Sequence, residues 1–179
     1  CVGDEKNYSI IKNQNENCLS TQALQSALIS KKKVKEYSYL SRGSDERQYC
    51  SPLVNIPLTG YCRSKYGTFP EYHTSLDNLN LVTKKGMEQS FSVFKSIIDA
   101  FELGLYPKTK IYCEPKLDKI NLYPTTSTKN NNKKYAKKIL NLVSYSNGKR
   151  NIFEISKILK INIHEINSLI RLCKNNNYL

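Results

Sequence analysis

Apolar positions along the chain fall into two regimes. In residues 19–29 (LSTQALQSALI), Leu24, Ala27 and Leu28 share one side of a helical wheel. Residues 87–101 (MEQSFSVFKSIIDAF) carry Phe91, Phe94, Ile97, Ile98 and Phe101 at helical spacing and form the clearest amphipathic helix of the chain. Residues 34–40 (VKEYSYL) alternate as a strand does, and 53–61 (LVNIPLTGY) is an apolar run that predicts a buried strand with Pro57 near its end. Residues 1–4 read as the last residues of a strand with a polar exit at Asp4. Residues 47–50 suit a short helical turn; 63–72 are turn-rich, and Thr74 or Ser75 offers an N-cap to a following helix. Strands interleaved with helices predict an α/β layer.

The second regime starts at Leu103-Gly104-Leu105-Tyr106-Pro107. From there the pattern is irregular, with Pro115, Pro124, a Thr/Ser cluster over 125–128 and a polar run over 129–134. Three helical segments follow, over 135–145, 153–160 and 164–174, the last with Ile166, Leu169, Ile170 and Cys173 on one face. The joint Ile161-Asn162-Ile163 has room only for a tight turn, so the last two segments read as a helix-turn-helix. The closing Asn176-Asn177-Tyr178-Leu179 suits the start of a wing strand.

Charge sharpens this division. The chain has 179 residues, one ordinary domain or two small ones, and a formal charge of +13. Residues 1–104 carry 13 Lys+Arg against 11 Asp+Glu, or +2, whereas residues 105–179 carry 15 against 4, or +11. A basic surface suits an anionic partner, although Lys with abundant Asn and Ile also follows from AT-rich coding. No apolar run approaches the roughly 18 residues that span a bilayer, so no membrane partner is expected. No charged n-region and apolar h-region follow Cys1, so no secretory signal is expected either.

Cys1, Cys18, Cys50, Cys62, Cys113 and Cys173 are dispersed and form no CxxC pair. That spacing favours buried free thiols in a reducing cytoplasm over three disulfides or a four-cysteine zinc site. A lipid-modified Cys1 and an N-terminal nucleophile are the weaker readings of the first residue.

Only His73 and His164 are available as imidazoles. His164 falls on the exposed side of a surface helix, whereas His73 sits in Pro70-Glu71-Tyr72-His73-Thr74-Ser75-Leu76-Asp77, dense in Tyr and carboxylate. It follows Gly43-Ser44-Asp45-Glu46 by 28 residues, counted from Asp45. A Ser-Asp loop followed by a His in such a setting resembles the end of the zinc-dependent aminopeptidase family, which includes the secreted bacterial aminopeptidases and glutamate carboxypeptidase. Arg42-Gly43-Ser44-Asp45-Glu46-Arg47-Gln48-Tyr49-Cys50-Ser51-Pro52 and Tyr66-Gly67-x-x-Pro70-Glu71-Tyr72-His73-Thr74-Ser75 look most like a bacterial aminopeptidase-like branch, found near polysaccharide biosynthesis genes, that carries a C-terminal winged helix.

The resemblance implies an α/β fold: the C-terminal part of a mixed-sheet αβα zinc-exopeptidase domain over 1–104, then a linker and a small, mostly α winged helix-turn-helix domain over 105–179. It implies His73 as an imidazole ligand and Asp4 as a carboxylate ligand, with Glu5 as the fallback, in a site for two zinc ions. Tyr72 would stabilise a tetrahedral oxyanion, against the alternative of a packing tyrosine. Ser44, Asp45, Glu46 and Arg47 would shape the pocket. Relatives often have His after the loop Asp, where this chain has Glu46; Arg47 would read a substrate carboxylate or pair with Asp45 or Glu46.

Another His, a bridging Asp and a Glu-Glu pair are needed to complete such a site, and the chain does not supply them. The expectation is therefore the C-terminal portion of a longer cytoplasmic hydrolase, acting on a peptide or aminoacyl-type small substrate, with the remaining ligands in the missing N-terminal part of the same protein. Alone it should be inactive and bind zinc weakly. A homo-oligomer is compatible with this reading. The competing reading is a binding module: a winged helix that takes DNA or docks on protein beside a non-catalytic peptidase-like domain. Docking ranks ahead of DNA, because Arg171 and Lys174 are the only cations of the candidate recognition helix and lie at its far end.

Overall fold

The computed structural model describes residues 1–120, 122 and 130–179; Pro124 and the Thr/Ser cluster lie outside the described residues. The chain divides into two compact units, Cys1–Ile97 and Ile98–Leu179.

The first unit is α/β. Its sheet has the order β2-β1-β3. The central strand β1 (Tyr8–Ile11) runs parallel to β2 (Val34–Tyr37), with Tyr8 opposite Val34, and antiparallel to β3 (Gly60–Cys62), with Ile10 opposite Tyr61. All four β1 residues are buried. Helix α1 (Leu19–Leu28) makes the parallel crossover and buries Ala23, Leu24, Ala27 and Leu28, the face its spacing predicts. A single helical turn, α2 (Glu46–Tyr49), follows the polar loop.

Several expectations change here. Residues 1–4 form no strand of their own; the Cys1 carbonyl accepts one backbone hydrogen bond, from Arg63 N–H at 2.7 Å. The expected strand over 53–61 shrinks to β3, and Leu53 and Val54 are exposed. Pro52 and Pro57 cannot donate to a ladder, and Asn55 takes a left-handed φ of 51°. No helix starts at Thr74 or Ser75. The chain turns until Thr83, whose Oγ1 accepts Gly86 N–H at 2.9 Å and caps α3 (Lys84–Glu102). That helix inverts the expectation from its aromatic spacing: Gly86, Ser90, Val93, Ser96 and Ala100 are buried, whereas Phe91, Phe94, Ile98 and Phe101 are exposed. At the helix start Gly86 faces inward because the backbone of residues 3–4 presses against it.

The second unit is a helical bundle of α4 (Asn130–Tyr145), α5 (Ile152–Leu159) and α6 (Ile163–Asn175). Ile139, Leu142, Ile152, Ile155, Ile163, Ile166, Leu169, Ile170 and Cys173 are completely buried in it. Asn151 and Glu154 form a reciprocal capping box on α5, and Asn162 accepts Glu165 N–H at 2.9 Å to cap α6. The turn between them hinges on Lys160, at φ 55°. The closing residues form no strand; the one β-bridge, among the described residues, joins Lys108 to Asn147. The thiols are free, with Cys18, Cys50, Cys62 and Cys173 buried but Cys1 and Cys113 exposed. No helix among the described residues is long and apolar enough to cross a membrane.

Candidate functional site

Two glycines fix the place of Asp4. A Cβ on Gly86 would lie 1.9 Å from the Gly3 carbonyl oxygen, and one on Gly3 would lie 2.5 Å from Val82 Cγ1. Only with both side chains absent can the start of α3 approach this segment, where Thr83 N–H donates to the Gly3 carbonyl at 2.9 Å. Asp4 is thereby buried, and its carboxylate is oriented from three sides. Oδ1 accepts Lys6 N–H at 2.8 Å and Ser64 Oγ at 3.0 Å; Oδ2 accepts Ser64 N–H at 2.8 Å. Oδ1 has both lone-pair sites taken, whereas Oδ2 retains acceptor capacity. The neighbouring Glu5 turns outward to Thr83 Oγ1 and Lys85, and these partners hold its carboxyl below the ordinary range.

Lys6 links this segment to the loop of His73. Its backbone N–H holds Asp4, and its Nζ pairs with Glu71 Oε1 at 2.7 Å. The Lys6 ammonium keeps the Glu71 carboxyl below the ordinary carboxylate range, outweighing the opposing effects of burial and of the Asp4 charge. The other Glu71 oxygen, Oε2, is buried without a hydrogen-bond partner. Two residues on, His73 is exposed in the left-handed region at φ 58°. That conformation costs a non-glycine residue about 1–2 kcal/mol. Its imidazole stacks on the Tyr72 ring at 4.0 Å, and Tyr72 meets Phe69 edge-on at 5.6 Å.

The Ser-Asp loop is organised by Glu46 alone. Ser44, Asp45 and Arg47 are exposed, whereas Glu46 is buried. Glu46 Oε1 accepts Gly43 N–H at 2.8 Å, Ser44 N–H at 3.2 Å and the Tyr66 hydroxyl. Burial pushes the Glu46 carboxyl up, but these donors outweigh it and leave it below the ordinary value; burial and Glu46 together push the Tyr66 phenol far up. Gly43 packs flat on Tyr66, where a Cβ would lie 2.7 Å from Cε2. Among the described residues Arg47 forms no ion pair with Asp45 or Glu46, and no hydrogen bond or ion pair joins this loop to Asp4 or His73.

Sequence reasoning thus missed Lys6, Ser64, Glu71 as the tether, and Tyr66. Glu71 and Tyr66 stand inside the quoted motif, which is the signal that points to them. Ser64 and Lys6 carry no local signal.

Asp4 and His73 offer carboxylate oxygen and imidazole nitrogen, the donor types zinc takes, and the unpartnered Glu71 Oε2 adds a further oxygen in the same segment. The donors therefore fit zinc in kind. They fall short in number, since no three His, Cys, Asp or Glu side chains among the described residues could hold an ion together.

Comparison with known proteins follows the same division. The family model described as a domain of unknown function (DUF4910) matches residues 1–104, and one described as a winged helix-turn-helix matches residues 104–179. A Clostridium acetobutylicum protein, whose name joins polysaccharide biosynthesis provisionally with an aminopeptidase-like domain, is 43% identical over 86 residues. That alignment takes in 45% of this chain and 19% of the relative. A crystal structure of a protein from the same organism, provisionally named a peptidase, superposes on 98% of this chain with a TM-score of 0.76 at 24% identity. The chain spans 39% of that structure. It shares the fold.

Proposed function

The chain belongs to the family described as a domain of unknown function, DUF4910, and on that premise we propose that it is part of a zinc-dependent, aminopeptidase-like amide hydrolase. The observation that carries this reading is the arrangement of Asp4. A buried carboxylate, aimed by Ser64 and Lys6 and tied through Lys6 to Glu71 in the loop of His73, is a prepared acceptor rather than a surface charge. The name of the curated relative supports the aminopeptidase-like class, and its share of matched length supports a longer polypeptide.

In this reading Asp4 and His73 each hold one side of a site for two zinc ions, and the longer polypeptide supplies the other ligands and the general base. Bound zinc would polarise the scissile carbonyl and lower the pKa of a water. The chain's own part is orientation: Ser64 and Lys6 keep the Asp4 oxygens aimed, and the left-handed turn puts the His73 imidazole at the surface. Tyr72, stacked on that imidazole, would in this reading donate its hydroxyl to the developing oxyanion. Ser44, Asp45 and Arg47 line the approach, on a loop that Glu46 holds. The substrate class is a peptide or aminoacyl-type small molecule with a free amino end.

The test is zinc titration and aminoacyl-anilide hydrolysis by the complete polypeptide and by the 179 residues. Hydrolysis by the complete protein, lost in Asp4→Asn and His73→Ala, is expected, with weak zinc binding and no turnover by the 179 residues. Tight stoichiometric zinc and turnover by the 179 residues alone would overturn the division of the site.

For the winged helix, protein docking is favoured over DNA by one observation. Arg171, one of the two cations of α6, is paired with Asp99 at 3.3 Å.

A further inference from the structure

We infer that a cleft at the C-terminal end of α6 binds a small phosphate ester, with the phosphate on Lys108, Lys110 and Lys174 and the organic part on Tyr106. The cleft lies wholly within the second unit and needs no zinc.

The stretch 107–110 is pinned from two directions. The Pro107 carbonyl accepts Gly148 N–H at 2.9 Å and Thr109 N–H donates to the Ser146 carbonyl at 2.8 Å, while Lys110 N–H donates to the Tyr178 carbonyl at 3.0 Å. With Leu103, Lys174 and Leu179 this stretch lines a cleft of about 360 Å³. Sites for small molecules usually measure about 300–1,000 Å³, so the space seats a compact ligand and not a duplex.

Its charge is of one sign. Lys108, Lys110 and Lys174 line the cleft and no Asp or Glu does. None of the three forms an ion pair among the described residues. Like charges gathered at one cleft repel, and a bound anion relieves that repulsion. Two of the lysines are also held in place. Lys174, in the last turn of α6, donates from Nζ to the Leu103 carbonyl at 2.6 Å, which leaves two of its three N–H donors. The stem of Lys108 lies against Gly148, where an added Cβ would meet its Cβ, Cγ and Cδ at 3.3 Å each.

The lining selects among anions. A carboxylate offers a single charge, whereas a phosphate monoester carries about −1.5 to −2 at neutral pH on three acceptor oxygens, a better match to three ammonium groups. The remaining wall is apolar: Tyr106 is 55% exposed, and Pro107 and Leu179 stand beside it in the lining. Free phosphate leaves that wall unused, but an ester with a ring covers it.

Amide NMR of the 179-residue chain at constant ionic strength tests this, with phenyl phosphate, inorganic phosphate and a short DNA duplex as probes. Phenyl phosphate should shift Gly104, Lys108 and Lys110 saturably and bind about tenfold more tightly than inorganic phosphate, the gain expected from covering part of an aromatic surface. Replacing the two exposed lysines together, Lys108→Gln with Lys110→Gln, should weaken both ligands about tenfold, and Tyr106→Ala should weaken the ester alone. Shifts that spread over all lysines without saturating, equal affinity for ester and free phosphate, or affinity retained in the double lysine variant would each overturn the inference. So would a duplex that shifts the same amides and displaces phenyl phosphate, since the lysines would then belong to nucleic acid.

Discussion

The hydroxyl of Tyr66 donates to Glu46 Oε1, the same oxygen that accepts the backbone N–H groups of Gly43 and Ser44. One buried carboxylate therefore closes the Gly43–Glu46 loop and ties it to the Tyr66-Gly67 turn, two stretches that lie 20 residues apart. The long motif common to these stretches is explained by packing as much as by chemistry.

Glu46→Ala should cost the fold about 1–3 kcal/mol, the penalty for leaving three part-buried donors unmet. Tyr66→Phe removes a single donor and should cost less, toward about 1 kcal/mol. Urea unfolding of the two variants checks the order. A loss from Tyr66→Phe that equals or exceeds the loss from Glu46→Ala would show that the ring, not the carboxylate, organises the loop.

The same pair sets a pH window. Glu46 is held below its ordinary value of 4.5 in the folded chain, so its contribution to stability is present above that value and is lost as pH falls through the folded pKa. Tyr66 is shifted up from 10, so its contribution is present below 10 and is lost as pH rises beyond it. In carboxyl-carbon NMR titration Glu46 should ionise at lower pH than an unperturbed glutamate. Tyr66 should stay protonated after the exposed tyrosines have formed phenolate. A Glu46 midpoint at or above 4.5 would contradict the donor geometry.

Gly86→Ala should be among the most damaging single changes in the first unit. The added carbon would fall 1.9 Å from the Gly3 carbonyl oxygen, which is backbone and cannot swing aside. Overpacking of this kind costs about 1–3 kcal/mol or more, and here it would displace the backbone that carries Asp4. Gly67, at φ 68° with nothing within 4 Å, supplies the contrast: Gly67→Asn should be nearly neutral, since Asn tolerates the left-handed region. Thermal melts decide between them, and a neutral Gly86→Ala would refute the close approach.

The helices were legible because their apolar spacing is long and regular: α1 follows Leu24, Ala27 and Leu28, and α6 follows Ile166, Leu169, Ile170 and Cys173. The central strand was not. Tyr8-Ser9-Ile10-Ile11 is four residues long and buried throughout, so it lacks the alternation that marks a half-exposed strand. Leu53, Val54 and Ile56 misled in the opposite direction, being apolar in sequence but exposed between two prolines. In α3 the aromatic stripe masked the small-residue face that does the packing. The site divides similarly. His73 and Asp4 were reached through resemblance, but Ser64 and Glu71 meet Asp4 and Lys6 across 60 and 65 residues, a distance over which no local spacing carries information.

Lys6→Met should loosen the His73 loop without unfolding the unit. The methionine keeps the Lys6 N–H that holds Asp4 and much of the aliphatic stem, but it releases Glu71, whose other oxygen already lacks a partner. The lost pair is partly exposed and adds little to stability. The expected result is faster amide exchange over residues 69–74, with that of 8–11 unchanged. Exchange over residues 69–74 that is unchanged by the substitution would show that Lys6 does not tether the loop.

The winged helix should not read DNA sequence through α6, because the groups that would do so are already used. Arg171 pairs with Asp99, Asn167 is 1% exposed, and Asn162 spends its side chain on the Glu165 N–H cap. Direct readout needs free Arg, Asn or Gln groups at base edges, worth about 1–3 kcal/mol per bidentate contact. The excess of eleven positive charges over residues 105–179 could still hold phosphates, but such binding is independent of sequence and collapses with salt. Duplex mobility shifts by the full chain should therefore vanish between low and physiological salt and be indifferent to sequence. Asn162→Ala should destabilise the helix by about 1 kcal/mol without changing those shifts. A sequence-dependent shift that survives physiological salt and disappears in Arg171→Ala would show that the Asp99 pair opens for DNA, and would reverse the preference for protein docking.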